Sequence, residues 1–183
     1  MPAGATERLF FALWPDDATR MRCANVVSQL ANIRGKPVPP ANLHITLSFL
    51  GSVDAAQRLC AERAADTVRV QPVTLTLDHL GYFPKPRVVW LGSERVPCAL
   101  AALAADLNHQ LGGCDITLDS RPFELHMTLL RKVISPPMLD ASEPINWRVE
   151  SFSLVKSATL SSGPIYTVLR TWPLHKGTSI NPV

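Results

Sequence analysis

His44-Ile45-Thr46-Leu47 recurs further along the chain as His126-Met127-Thr128-Leu129. Side chains alternate between the two faces of a strand. Read as strands, the two tetrapeptides each set a histidine and a threonine on one face and two apolar residues on the other. Two such strands brought together surround one small volume with two imidazoles and two hydroxyls. Imidazole gives and takes protons near neutral pH, so an acidic and a basic copy can run both halves of a displacement. The hydroxyls can donate hydrogen bonds to the oxygens of a phosphate held between them.

The same order of elements is predicted around each motif. The apolar run 9–14 reads as a buried strand. Pro15-Asp16-Asp17 opens a helix with acidic residues at its positive end; its stripe is Ala24, Val27, Leu30 and Ala31, and Gly35 ends it. Residues 36–42 hold three prolines and read as a loop. The first motif strand is predicted over 43–50, with Ile45, Leu47 and Phe49 on its buried face, and Gly51 turns the chain. An Ala-rich helix follows over 54–68 and an alternating strand over 73–80. Phe83-Pro84-Lys85-Pro86-Arg87 reads as a rigid turn before a buried strand at 88–91. Pro97 then opens a helix striped by Leu100, Leu103, Ala104, Leu107 and Leu111, which Gly112-Gly113 ends. The second motif strand is predicted over 125–132. Two closing strands, 147–160 and 164–172, are joined by Ser161-Ser162-Gly163, and 175–183 reads as a loose tail. Strand, helix and motif strand thus occur twice. The repetition implies internal duplication: two lobes with approximate two-fold symmetry and a site where they meet.

At 183 residues the chain fits a single domain, 1–183, built from two lobes. An apolar content of 46% with 18% charged residues is that of a globular protein rather than a disordered one. A net charge of +3 permits an anionic ligand, whereas a duplex-coating protein shows a stronger basic patch. The N-terminus lacks the pattern of a signal peptide, and no apolar run reaches membrane-spanning length. Cys23, Cys60, Cys98 and Cys114 form no Cys-x-x-Cys pair and no finger spacing with histidine. They read as small buried residues in a reducing compartment. The expectation is a cytoplasmic protein without a bound metal or cofactor.

Arg8-Leu9-Phe10-Phe11-Ala12-Leu13, Asn42-Leu43-His44-Ile45-Thr46-Leu47, Val89-Trp90-Leu91-Gly92, His126-Met127-Thr128-Leu129-Leu130-Arg131 and Gly163-Pro164-Ile165-Tyr166 fall in the order and spacing of a known family. Over roughly residues 7–174 the chain resembles the two-histidine phosphoesterases, and within them the bacterial and archaeal RNA 2′,3′-cyclic phosphodiesterases, also called 2′-5′ RNA ligases. The resemblance implies an α+β fold, with two antiparallel sheets facing each other across a central cleft and helices packed outside. It implies a substrate RNA ending in a 2′,3′-cyclic phosphate, such as tRNA fragments or short oligonucleotides, bound by a monomer. The ring opens with release of the 3′ oxygen and leaves a 2′-phosphate, without a metal or cofactor. One departure is Leu125, where the family usually carries proline; leucine can adopt the same extended geometry.

By that resemblance His44 is the proton donor to the leaving oxygen and His126 the acceptor of the proton from water. The sequence itself leaves this order open. Thr46 and Thr128 are placed on the nonbridging oxygens. Arg131 matches a family arginine that brings positive charge to the phosphate, although strict alternation puts it on the face opposite His126. A bulge, the strand end or a long side chain would bring it round. Tyr166, after its Gly-Pro turn, belongs against a base, at the cleft border or in the core. Lys85, Arg87 and Lys132 are read as a solvated face sooner than as a track for RNA. His79 is read as structural, His109 as a helix-end residue, and His175 as part of the tail. Two alternatives stand beside this reading. One is a phosphodiesterase for another small cyclic or 2′-5′-linked nucleotide; the other is a non-catalytic RNA-binding module.

Overall fold

The computed structural model describes residues 6–135, 137–139, 143–161 and 163–175. Ser162 of the closing turn and 176–183 of the expected tail lie outside the described residues.

The first strand, β1 (Glu7–Leu13), is apolar on both faces because both faces are covered. Leu9, Phe11 and Leu13 enter the main core, whereas Phe10 and Ala12 form a second cluster with Val155 on the other side. Helix α1 (Asp17–Gln29) is capped by Asp16, whose carboxylate accepts the Thr19 amide at 2.8 Å. It buries Thr19, Cys23 and Val26 and ends well before Gly35. Gly35 does different work from the expected cap: a Cβ there would lie 3.2 Å from both the Arg131 carbonyl oxygen and Val133. That close approach lets β2 (Lys36–Pro37) pair with Arg131 and Leu130. A 3₁₀ turn (Pro40–Asn42) leads into β3 (Ile45–Val53), which carries the first motif. Helix α2 (Ala55–Thr67) starts with an Asp54/Gln57 capping box.

Next come β4 (Val73–Leu77), β5 (His79–Phe83) and β6 (Val88–Gly92). Helix α3 (Cys98–Leu111) buries the stripe read from the sequence: Leu100, Leu103, Ala104, Leu107 and Leu111. The chain closes with β7 (Met127–Arg131), β8 (Ile145–Val149), β9 (Ser151–Leu160) and β10 (Gly163–Pro173). The main sheet runs β10-β9-β1-β3-β7-β6-β5, and β4 with β8 forms a second sheet of 2 strands. The fold is α+β. The duplicated unit is β1-α1-β3 in one lobe and β6-α3-β7 in the other. Antiparallel halves meet where Ile45 pairs with Met127, the residues that follow the two histidines.

Two segments expected as single strands are each two. The run 73–80 breaks at Asp78, whose carboxylate accepts the Glu94 amide while its own amide donates to the Gly92 carbonyl. The run 147–160 breaks at Glu150, whose carbonyl accepts the Leu174 amide. At both points the chain leaves the small sheet for the main one. Periodicity hides such a break because alternation resumes beyond it.

A further correction concerns Phe49, which is 51% exposed instead of buried. Between β1 and β3 the register slips twice, leaving Leu47 and Leu50 as extra residues on β3. Each bulge resets the alternation. Ser48 pairs with core-facing Phe11, and Phe49 pairs with Phe10 on the opposite face. The cysteines also depart from expectation. Cys60 on α2 and Cys114 beyond α3 form a disulfide, and Cys98 is exposed; of the four, only Cys23 is both free and buried.

Candidate active site

Both motif histidines sit one residue before their strands. In each, ring Nδ1 lies close to a main-chain carbonyl two residues earlier: Asn42 at 2.7 Å for His44, and Glu124 at 2.8 Å for His126. A carbonyl only accepts, so Nδ1 carries the hydrogen in both rings. The second nitrogen, Nε2, is therefore the one whose lone pair is available to a proton. The backbone fixes the tautomer identically in both halves of the duplication.

The surroundings of the rings differ. Trp14 stacks on His44, with centroids 5.5 Å apart and planes 15° apart. Tyr166 meets the same ring edge-on at 5.1 Å, and Phe10 lies tilted at 4.9 Å. His126 is flanked by Phe83, edge-on at 5.3 Å. Burial in the aromatic enclosure lowers the pKa of His44 to about 4; the Asn42 carbonyl opposes this, and the charges of Arg131 and His126 add to it. Asn42 is itself buried, and its amide donates to the Pro164 carbonyl at 2.9 Å. That bond ties the turn before His44 to the start of β10, the strand that supplies Tyr166.

Between the lobes lies a cavity of about 710 Å³. His44, Thr46, His126, Thr128, Arg131 and Tyr166 all line it. Arg131 reaches it because Leu129 is an extra residue between the Val89–Leu130 and Trp90–Thr128 pairs. The bulge moves Leu130 to the core face and turns Arg131 toward the cleft. Lys85 also lines the cavity. Arg87 and Lys132 have left-handed backbones at φ 63° and 54° and do not line it. His79 packs on Trp90 at 5.5 Å; His109 sits in the last turn of α3. His175 is held by its backbone, whose amide donates to the Val70 carbonyl.

Several lining or flanking residues escaped the sequence reading. Alternation from Phe10 and Ala12 carries Trp14 to the His44 side, so its signal was present. Arg121, paired with Asp119 in the loop before the second motif, has no periodic signal at all. Among the described residues no three of His, Cys, Asp or Glu converge as a set of metal ligands. No described helix is long and apolar enough to cross a membrane.

The duplicated unit with its paired motifs is the architecture of the two-histidine phosphoesterases. Within that class the chain belongs to the 2′-5′ RNA ligase superfamily, whose family model matches residues 12–159. The RNA 2′,3′-cyclic phosphodiesterase of Escherichia coli K12 is 35% identical over 178 residues, covering 92% of this chain and 97% of that protein. The enzyme of the same name from Archaeoglobus fulgidus is 34% identical over 176 residues, covering 90% and 99%. The crystal structure of apo E. coli LigT superposes with a TM-score of 0.86 at 32% identity, covering 94% of this chain and 100% of that one. LigT complexed with 3′-AMP gives 0.86 at 31% identity, covering 93% and 99%.

Proposed function

We propose that the chain is an RNA 2′,3′-cyclic phosphodiesterase that converts a 2′,3′-cyclic phosphate end to a 2′-phosphomonoester. The observation that carries this reading is the matched pair of imidazoles in one cleft. Each has Nδ1 committed to a backbone carbonyl, Nε2 left for proton exchange, and a threonine two residues on. In-line displacement at phosphorus needs a base on the side of the attacking water and an acid on the side of the leaving oxygen. His126 Nε2 takes a proton from water as its oxygen bonds to phosphorus. The bond from phosphorus to the 3′ oxygen breaks, and His44 Nε2 supplies the proton to that oxygen. Thr46 and Thr128 donate to the nonbridging oxygens, and Arg131 balances the charge that grows on them. The order of acid and base follows the family resemblance.

In the free protein His44 is held neutral by burial and by repulsion from Arg131 and His126. An anionic phosphate between the rings reverses that repulsion and favours the imidazolium. Substrate binding thus loads the acid. A 5′-hydroxyl in place of water gives a 2′-5′ linkage by the same steps. The chain works as one unit of two lobes, a monomer in the cytoplasm, on ends such as those of tRNA fragments or short oligonucleotides.

The test is product analysis on a short RNA with a 2′,3′-cyclic end, followed by phosphorus NMR with and without EDTA. The expected product is the 2′-monoester in both samples. A 3′-monoester, or activity lost to EDTA and restored by a divalent ion, overturns the reading.

A further inference from the structure

The duplication equates Leu47 with Leu129 and Phe49 with Arg131, each pair at matching distances from its motif histidine. In both strands the motif leucine is the extra residue of a bulge. In both, the residue two positions later is turned toward the cleft. One lobe presents a guanidinium there and the other presents a phenyl ring. We propose that Phe49 is the platform on which the nucleobase of the bound nucleotide stacks, opposite Arg131 on the phosphate. The inference rests on the phosphodiesterase reading for the identity of the ligand as a nucleotide.

Phe49 lines the cavity and is 51% exposed. Its neighbour below is Phe10, with ring centroids 5.9 Å apart and planes 43° apart. The ring is therefore supported from the sheet side and open toward the cleft. A second bulge at Leu50 follows at once, and Gly51 takes a left-handed backbone at φ 71°. Two irregularities thus bracket a single aromatic residue. Without them, strict alternation sends Phe49 to the core and Leu50 to the cleft. Leaving a phenyl ring half in water forfeits burial that a core position provides. A base on its open face recovers that burial, and stacking suits any of the bases because each has a π-face. At this pair of equivalent positions the two halves of the fold differ in the same sense as the two ends of a nucleotide, phosphate at one and base at the other.

Binding separates this inference from the proposed function, because it requires no turnover. Calorimetric titrations with adenosine 2′-monophosphate and with inorganic phosphate are made on the wild type, Phe49→Ala and Phe49→Trp. Phe49→Ala is expected to weaken the nucleotide by roughly 5- to 150-fold, the worth of one base–aromatic stack, and to change phosphate affinity by less than about twofold. Phe49→Trp is expected to keep the nucleotide's advantage over phosphate. Nucleotide affinity unchanged in Phe49→Ala overturns the platform, and so does an equal loss for both ligands. Wild-type failure to open a 2′,3′-cyclic phosphate, with the nucleotide-selective loss intact, overturns the phosphodiesterase reading and leaves the platform standing.

Discussion

The indole of Trp14 lies parallel to the imidazole of His44, while His126, its counterpart in the duplication, is met only edge-on by Phe83. Burial is the largest cause of the lowered pKa of His44, and Trp14 covers one face of that ring. Trp14→Ala is expected to raise the His44 pKa from about 4 toward its ordinary value. Trp14→Phe is expected to raise it less. Nitrogen NMR of the labelled imidazole reads both. An unmoved titration in a folded Trp14→Ala protein removes the indole from the account.

Inorganic phosphate is expected to move the same titration upward. Arg131 and His126 both disfavour the imidazolium, and an anion between the rings favours it. An opposite charge at about 4–6 Å raises a histidine pKa by about 1–3. Arg131→Ala is expected to raise the His44 pKa in the free protein while weakening phosphate binding. One substitution thus moves acidity and affinity in ways that simple unfolding does not. A His44 pKa that falls on adding phosphate refutes the loading of the acid by substrate.

His44→Ala and His126→Ala are each expected to cut turnover by roughly 10²- to 10⁴-fold. The double variant is expected to be little worse than either, since groups that act as a unit do not add. Thr46→Val and Thr128→Val are expected to cost roughly 10- to 150-fold, the worth of one hydrogen bond to a charged group. His79→Ala and His109→Ala serve as controls and are expected to stay near wild type. Single-turnover rates on a 2′,3′-cyclic end decide. A control as damaging as His44→Ala points to another site.

The thiols give a prediction independent of catalysis. Under native oxidising conditions a thiol reagent is expected to modify Cys98 and spare Cys23, which is buried. Cys60 and Cys114 are expected to react only after reduction. Cys60→Ser is expected to lower stability by about 2–4 kcal/mol against the oxidised protein, read by denaturant melts with and without reductant. Equal melts argue that the bridge does not form in solution.

The repeated tetrapeptide marks the two central strands, the strand–helix–strand order around each, and the shared cavity of His44, Thr46, His126 and Thr128, because each rests on a local pattern with a fixed period. The α3 stripe was legible for the same reason. What stayed hidden are the features that break a period. Alternation alone sends Phe49 to the core and Arg131 away from the cleft, since a bulge leaves no mark in one sequence. The breaks at Asp78 and Glu150 depend on hydrogen bonds to distant segments. The Cys60–Cys114 bridge depends on how α2 lies against the end of α3, which neither spacing nor composition encodes.

The lobes of the main sheet share one rung of β3 and β7, between Ile45 and Met127, and each of those residues is the covalent neighbour of a motif histidine. Beside that rung β2 pairs Lys36 with Arg131 and Pro37 with Leu130, and the Cys60–Cys114 bridge ties α2 to the chain just beyond α3. The seam next to the two histidines is thus fastened at several places at once. The spacing of the imidazoles is built into the backbone before any ligand arrives, as the gap of a gauge is set by its frame.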